Sequence, residues 1–403
     1  MTNSQQTRIL LIFVAALIIA ALSFGIRQSF GLFMRPLSVD LGWGREILSF
    51  ALATQNLAVG LAVPFSGALA DKWGPGKVIM AGGVLFATGI FLMSQSTTPT
   101  GMLLTAGILT GIGVSACGLP LVLSVVARIA NDKQRSLWLG LVTAGSTAGQ
   151  LLLLPVAQYI ISTDGWVAAV ITLSICAAFI VPLAAFITNS SAQLFDKKEN
   201  LSLGGALMEA RGHYGYWMLT VGFFVCGFQV LFIAMHLPAY LVDKGMDPSI
   251  AATSLGVIAF FNMLGAWASG YLGGHFRKKY LLGGLYICRS IIIIIFISLP
   301  LSNTSVLLFS AAIGFLWLST VPLTSGIVAQ IFGPRYMATL YGIVYLSHQL
   351  GSFSGVWVGG WLFDVYGSYE QVWYLAIALG FVAAALHLPL NDHSPERKAA
   401  ANA

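Results

Sequence analysis

Four ionisable side chains lie within long apolar stretches of this sequence. They are Arg27, Arg289, His236 and His348. An arginine near the centre of a membrane helix costs roughly 2.5 to 3.5 kcal/mol to insert, so one found there is a candidate functional residue. Its planar guanidinium can hold a carboxylate through two parallel hydrogen bonds. The two arginines therefore indicate an anion-binding site, and a structural arginine bonded to helix carbonyls is the alternative for each.

The histidines and neutral polar residues of the same stretches extend this candidate site. His348 lies in the polar cluster Tyr345-Leu-Ser-His348-Gln349, and an imidazole can take up a proton near neutral pH. His348 is therefore a candidate substrate or proton site, or else a buried neutral histidine. His236 is close to Pro238 and is a candidate for the site or for support of a helix bend. The remaining polar candidates, which line a pocket or bond neighbouring helices, are Gln55, Asn56, Gln150, Gln229 and Asn262.

Composition predicts the elements that carry these residues. The chain has 403 residues, of which 57% are hydrophobic and 8% charged, whereas a soluble domain has roughly a quarter charged residues. A membrane-crossing helix needs about 20 apolar residues. The apolar runs of this sequence lack the apolar and polar alternation of barrel strands, so helices are predicted. About twelve spans are expected, near 9–34, 47–70, 78–97, 101–127, 136–161, 165–188, 215–241, 250–273, 280–299, 304–331, 336–363 and 369–390.

The charges between the spans predict the orientation. Of the 20 Lys and Arg residues, Arg27 and Arg289 lie inside spans. Only Arg35, Arg45 and Lys244 lie on one side of the membrane, and the other fifteen lie on the opposite side. Loops rich in Lys and Arg stay in the cytoplasm, and the termini lie on the side with more of these residues. The chain is therefore expected in the inner (plasma) membrane of the cell, with both termini on the cytoplasmic side. The net charge of +6 is then explained mainly by this topology, with a weak attraction to anionic lipid. No nucleic-acid partner is needed to explain it.

Acids and cysteines narrow the chemistry further. Every Asp and Glu falls in a loop, a tail or a span end, which disfavours binding of cations by carboxylates at the midplane. The four cysteines fall inside spans and are expected to be small buried apolar residues, with no disulfide or metal role. The sequence has no H-E-x-x-H, no G-x-S-x-G and no P-loop, so neither an enzyme nor a bound cofactor or metal is expected.

The chain is predicted to consist of two similar halves. A polar stretch at 189–213 separates residues 1–188 from residues 214–403. Gly67 matches Gly270, and Gly140 matches Gly342, at an offset of about 202 residues, and internal repeats of this kind are typical of secondary transporters with a site between the repeats. The predicted fold is therefore an all-α membrane protein with twelve transmembrane helices in two six-helix pseudo-repeat bundles.

The loop after the second span resembles the signature motif of the major facilitator superfamily. The pattern G-x-x-x-D-R/K-x-G-x-R/K-R/K is kept here as Gly67, Asp71, Lys72, Gly74 and Lys77. The resemblance implies that the first span lines a central cavity and that this loop latches the two halves in the outward-open state. An acid at this place can also stabilise the positive N-terminus of a neighbouring helix.

Within that superfamily the chain resembles bacterial relatives of the monocarboxylate transporters. The shared features are Phe30-Gly31-Leu-Phe, Leu41-Gly-Trp43-Gly-Arg45 and Arg135-Ser-Leu-Trp-Leu-Gly140. The monocarboxylate transporters have an Asp and Arg pair in the eighth span. This sequence lacks that pair and has Asn262 and Ala266 near the corresponding positions. The resemblance implies transport by alternating access.

The expected function is secondary active transport of a small organic anion such as a monocarboxylate, with or without a coupled proton, by a monomer. Efflux of a drug-like or siderophore-like compound is the alternative, and a membrane-embedded enzyme or sensor is the alternative from another class. The residues predicted to bind substrate are Arg27, His348, Tyr345, Gln349, Asn56, Gln229, Asn262, His236 and Arg289.

Overall fold

The computed structural model describes residues 3–43, 45–191 and 202–393, and these residues fold into helices. Long apolar stretches form most of them, and a glycine or proline stands at many of their ends. The elements before the predicted linker are α1 Asn3–Ser29, a 3-10 turn Phe30–Phe33, α2 Met34–Leu41, α3 Arg45–Trp73, α4 Pro75–Ser94, α5 Pro99–Met102, a π-helical segment Leu103–Leu109, α6 Thr110–Cys117, α7 Leu119–Ile129, α8 Arg135–Ala178 and α9 Ile180–Ser191.

The elements after residue 201 repeat this pattern. They are α10 Leu203–Gly212, α11 Tyr214–Asp243, α12 Pro248–His275, α13 Lys278–Ser298, α14 Asn303–Leu316, α15 Thr320–Phe332, α16 Met337–Tyr366 and α17 Glu370–His387. We call α1–α9 the N-terminal group and α11–α17 the C-terminal group. The short α10 lies in the predicted linker, most of which falls outside the described residues.

Ten segments of the described chain are long and apolar enough to cross a membrane. The longest, Arg135–Thr188, has 54 residues and is interrupted at Gly165, whose φ of 85° leaves the helical range. The helix α16 has 30 residues and is not among the ten. The multi-pass, all-helical prediction is confirmed, while the number of twelve spans and the boundaries of the two halves stay predictions.

Several predicted spans are divided between helices, and two of these breaks lie at matching places in the two halves. The span expected at 101–127 breaks at Gly118, before Pro120 in the first turn of α7. The span expected at 304–331 breaks after Leu316, before Pro322 in the first turn of α15. Proline fits the first turn of a helix, where its missing N–H is not needed, but it interrupts a helix that precedes it. The two breaks therefore have the same local cause.

The helices pack within each group and cross between the groups at two places. In the N-terminal group α1 packs on α8 and α4 packs on α6, and in the C-terminal group α11 packs on α16 and α13 packs on α17. The two groups meet where α3 crosses α16 and where α8 crosses α12. These two crossings form most of the contact between the groups.

Packing between the groups is dense at one end. Nearly every residue of α7 and α15 is buried, and so are residues 337–342 at the start of α16. Farther along α16, Phe353, Trp357 and Trp361 are 53%, 61% and 53% exposed. The dense end holds Asp71, whose side chain has no exposed surface. We call it the Asp71 end of the bundle.

Candidate functional site

Arg27 lies in the last turn of α1 and faces α3. Its Nη2 donates a hydrogen bond to Oδ1 of Asn56, and Asn56 Nδ2 donates to the Leu52 carbonyl at 2.9 Å. The second bond turns the amide oxygen toward the guanidinium. Arg27 is partly exposed, and no carboxylate of the described residues lies within 4.0 Å of it. The charge of Arg27 is therefore held by a neutral partner.

The Asn56 backbone also joins the two groups. Gln349 of α16 donates from Nε2 to the Asn56 carbonyl at 3.2 Å, and its Oε1 lies 3.3 Å from Nδ1 of His348. This approach requires Gly60, since a Cβ there would lie 2.8 Å from the Gln349 Cβ. The structure thus brings four predicted residues, Arg27, Asn56, Gln349 and His348, into one connected polar path.

His348 occupies an aromatic pocket on α16. The Tyr345 ring lies nearly parallel to the imidazole with centroids 5.6 Å apart, and the Phe223 ring lies at 4.8 Å. Ser352 Oγ is 3.4 Å from Nδ1. The ring is 6% exposed, and its Nε2 has no hydrogen-bond partner among the described residues. A buried imidazole nitrogen without a partner is a group that a proton or a ligand can satisfy.

Arg289 closes the break between α14 and α15. It is 1% exposed and donates from Nε to the Leu316 carbonyl at 3.2 Å, while Nη2 donates to the Leu316 and Trp317 carbonyls. These carbonyls end α14 and have no partner inside that helix. The contacts match the structural alternative for this arginine, and a substrate role for Arg289 stays a prediction.

Cys226 links Arg289 to the pocket of His348. Arg289 Nη1 lies 3.5 Å from the Cys226 sulfur, and Thr320 Oγ1 lies 3.1 Å from it. His348 is also among the groups that interact with this thiol. The sequence predicted Cys226 to be small, buried and apolar. It is buried, but hydrogen bonding to Arg289 and Thr320 is a role that hydropathy could not indicate.

Gln229 and His236, also predicted for the site, have partners away from this path. Gln229 donates to the Ala376 carbonyl of α17 at 2.9 Å. His236 lies 3.3 Å from the Tyr369 hydroxyl and 3.0 Å from the Val356 carbonyl. Both therefore bond helices of the C-terminal group to one another, as expected for polar residues that hold helices together.

Asn262 bonds to both groups at the second crossing. Its Nδ2 donates to Thr147 Oγ1 of α8 at 3.2 Å, and its Oδ1 accepts from the Leu318 N–H at 2.9 Å. The side chain is 3% exposed. It therefore resembles Gln349 in bridging the groups, but on the other side of the bundle.

Asp71 connects the two groups at the dense end. Its Oδ1 accepts from Arg128 Nη2, and its Oδ2 accepts from the N–H of Thr339 at 2.8 Å and from the Thr339 hydroxyl. Thr339 is the third residue of α16, so this N–H is one of the unpaired donors of a helix N-terminus. Arg128 also donates to the Arg335 carbonyl at 2.6 Å. Nothing in the sequence indicated that Arg128 pairs with Asp71.

The other motif residues divide into two sets. Gly67 faces α16 so closely that a Cβ would lie 2.3 Å from the Ala338 carbonyl oxygen. Gly74 has a φ of 92°, which glycine adopts without strain. Lys72 and Lys77 are exposed. Gly67 and Asp71 thus make contact between the groups, whereas the lysines lie on the surface.

The fold and this arrangement define a membrane transporter, and comparison with known proteins agrees. Residues 16–356 match the profile of the Major Facilitator Superfamily. The match covers most of the chain, and the chain belongs to this family. It is a transporter and not an enzyme, which confirms the prediction made from the sequence.

Relatives and solved structures support this assignment. Rat monocarboxylate transporter 13 is 26% identical over 380 residues, which cover 91% of this chain and 85% of the relative. The uncharacterised MFS-type transporter YcxA of Bacillus subtilis is 24% identical, with 99% and 98% covered. Among solved structures, the proton:xylose symporter XylE bound to 6-bromo-6-deoxy-D-glucose has a TM-score of 0.72 at 15% identity, with 97% and 98% covered. The Escherichia coli fucose:proton symporter FucP has a TM-score of 0.65 at 15% identity, with 93% and 98% covered.

Proposed function

We propose that this protein carries a small organic anion of the monocarboxylate class across the membrane by alternating access. The observation that carries the proposal is Arg27, a partly exposed guanidinium whose hydrogen-bond partner is the neutral amide of Asn56. A carboxylate is a stronger acceptor than an amide oxygen because both partners are then charged. The names of the relatives, monocarboxylate transporters of mammals, favour the same substrate class.

The packing supports a state that is closed at the Asp71 end. The exposed Lys72 and Lys77 lie in a motif at the Asp71 end, as the positive-inside rule requires of a cytoplasmic end. We take this end as cytoplasmic, in the inner membrane of a bacterial cell, so the state is outward-open and Asp71 latches it. Division of Arg135–Thr188 at Gly165 and inclusion of α16 give twelve spans.

A coupled proton is assigned to His348. Its buried Nε2 has no hydrogen-bond partner within the described part of the chain, and its Nδ1 is connected through Gln349 to the Asn56 backbone and so to Arg27. Substrate that draws Arg27 away from Asn56 changes this path, and a change in the partners of an imidazole changes its proton affinity. Symport requires that anion binding raise the proton affinity of His348, and this polar path connects the two sites.

Transport in proteoliposomes tests the proposal. A panel of radiolabelled short monocarboxylates is offered with and without an inward pH gradient, and each acid is paired with its amide. The expected result is saturable uptake of at least one acid, its accumulation with the gradient, and no competition by the amide. Failure of every carboxylate to be transported or to compete, in a preparation whose folding is verified by thermal unfolding, rejects the organic-anion assignment.

A further inference from the structure

A groove on the outer surface of the C-terminal group lies away from the candidate transport site. It forms where α12, α13 and α15 meet and encloses about 230 Å³. Leu272, Leu285 and Leu323 line it, one from each helix. The hydroxyl of Ser269, also in the wall, is bonded to the Ala266 carbonyl of its own helix. The groove therefore offers an occupant an apolar wall.

One end of the groove is cationic. Tyr280, which is part of the wall, has the Arg277 guanidinium 5.4 Å and the Lys279 ammonium 5.2 Å from its ring centroid. Lys278 lies between them in the sequence. Arg277 donates from Nη2 to Asp392 at 2.6 Å, yet its side chain stays 48% exposed.

Asp392 only partly neutralises this cluster. Burial by itself would raise the pKa of Asp392, but the hydrogen bond and charge of Arg277 outweigh it and hold the pKa below its ordinary value. The carboxylate is thus ionised near neutral pH and offsets one of three cations, while Lys278 and Lys279 donate to neutral acceptors, the Gln330 amide and the Leu390 carbonyl. The mouth of the groove keeps a net positive charge next to an exposed aromatic ring, a combination common where helices leave the membrane.

The dimensions of the groove fit one acyl chain. Tyr280 at the mouth and Cys288 at the inner end are about two helical turns apart, on the order of 12 Å at 1.5 Å per residue. One leaflet of the hydrocarbon core is about 15 Å thick. Gly284 lies between them, and a Cβ there would meet no atom within 4 Å. The absent side chain leaves the room that a chain of methylene groups needs.

We propose that this groove binds one anionic phospholipid, with its phosphate at Arg277 and Tyr280 and one acyl chain along Gly284 toward Cys288. The positive charge at the mouth complements an anionic headgroup, and the apolar wall, about one leaflet deep, complements an acyl chain. Basic residues at the edge of the hydrocarbon attract anionic headgroups in this way. A zwitterionic lipid has the same acyl chain but lacks the net charge, so the site discriminates by headgroup.

Native mass spectrometry of the full chain in detergent tests the proposal, with phosphatidylglycerol and phosphatidylcholine of matched chains as probes. Wild type is expected to keep phosphatidylglycerol several-fold more than phosphatidylcholine. Gly284→Leu fills the groove and is expected to lower the phosphatidylglycerol adduct at least fivefold. Gly256→Leu is the matched control, since Gly256 is also a helical glycine with no atom within 4 Å of its Cβ position, and its adducts are expected to match wild type.

A second measurement uses the native thiol and needs no change in the groove. Cys288 is exposed, whereas Cys117 and Cys226 are buried. Cys176, which is partly exposed, is replaced by serine for this experiment. Phosphatidylglycerol is expected to slow maleimide labelling of Cys288, and phosphatidylcholine is not. The proposal is overturned if the two lipids form equal adducts. It is also overturned if the adduct survives in Gly284→Leu while phosphatidylglycerol fails to protect Cys288, or if a second copy of the protein occupies the groove in place of lipid.

Discussion

Gly67 and Gly270 make equivalent backbone contacts at the two crossings between the helix groups. A Cβ on Gly67 would lie 2.3 Å from the Ala338 carbonyl oxygen, and one on Gly270 would lie 2.9 Å from that of Ser136. Gly67 and Gly270 match at the repeat offset read from the sequence, and so do Ser136 and Ala338. Each group therefore contributes one glycine-bearing helix and one carbonyl-bearing helix to the interface.

A methyl group at Gly67 is expected to weaken the closed arrangement of the Asp71 end. Gly67→Ala places a Cβ against backbone, which cannot move aside as a side chain can. Spin labels at Lys72→Cys and Phe276→Cys, with Cys176 replaced by serine and Cys288 by alanine, report the separation of the groups. We expect a longer mean distance in Gly67→Ala and no change in Gly256→Ala. Identical distance distributions in both variants would contradict the close contact.

Loss of the Asp71 carboxylate is expected to shift the population toward inward-open molecules. Asp71→Asn removes the ion pair with Arg128 and weakens the bond to the Thr339 hydroxyl. Breaking a buried pair costs about 3 to 5 kcal/mol, enough to reverse a modest conformational preference. Reaction of cysteines on either side with impermeant reagents measures the shift. Asp392→Asn is the control, because its partner Arg277 lies in the same group; an equal response in both variants would argue against a latch.

Substitution of Arg27 is expected to reduce substrate affinity. A carboxylate on Arg27 forms charge-assisted hydrogen bonds in a partly dry site, worth about 1.5 to 3 kcal/mol. Arg27→Ala should therefore lose roughly tenfold to hundredfold in affinity, and Arg27→Lys should recover only part of it, because an ammonium lacks the two-pronged geometry. Binding is measured by isothermal titration calorimetry with the acid and its amide. Wild-type affinity for the acid in folded Arg27→Ala would make Arg27 a structural residue.

Substitution of His348 is expected to separate transport from the pH gradient. His348→Gln keeps a polar side chain near Gln349 but cannot take up a proton. Exchange of internal for external substrate should continue, whereas gradient-driven accumulation should be lost. His236→Gln is the matched control, since both ring nitrogens of His236 lie within hydrogen-bond distance of Tyr369 and Val356. Accumulation that survives in His348→Gln would place the proton on another group or on the substrate.

Arg289 is expected to matter for stability more than for substrate. Arg289→Met leaves the Leu316 and Trp317 carbonyls without their donor, at a cost of about 1 to 3 kcal/mol for each buried group. The melting temperature in detergent should fall by several degrees, while the folded protein should bind substrate with wild-type affinity. An unchanged melting temperature together with lost binding would instead assign Arg289 to the substrate.

The sequence was sufficient for the family and the helices because both depend on local patterns. Hydropathy located most membrane segments, and five motif residues identified the superfamily. The breaks before Pro120 and Pro322 were not predicted, although these prolines stand at the repeat offset, because apolar residues surround them. Comparison of proline positions between the halves would have revealed them.

The site was predicted less well because partners depend on how helices face one another. Hydropathy identifies Gln229 and Asn56 as equally unusual, yet Gln229 bonds α17 and Asn56 receives Arg27. Arg128 was counted only as a loop charge, since nothing in its neighbourhood in the sequence points to Asp71. A polar residue in a membrane helix marks a contact, but the sequence alone does not reveal with which helix.

The Asn56 amide gives Arg27 a partner when no substrate is present. A carrier that takes up substrate must return empty, and during that step a bare guanidinium would have to be desolvated without compensation. Because Asn56 belongs to the same group as Arg27, its amide travels with the guanidinium as the two groups move. Under the proposed function the unloaded carrier is thus able to reset, and net accumulation does not require a counter-substrate on the other side of the membrane.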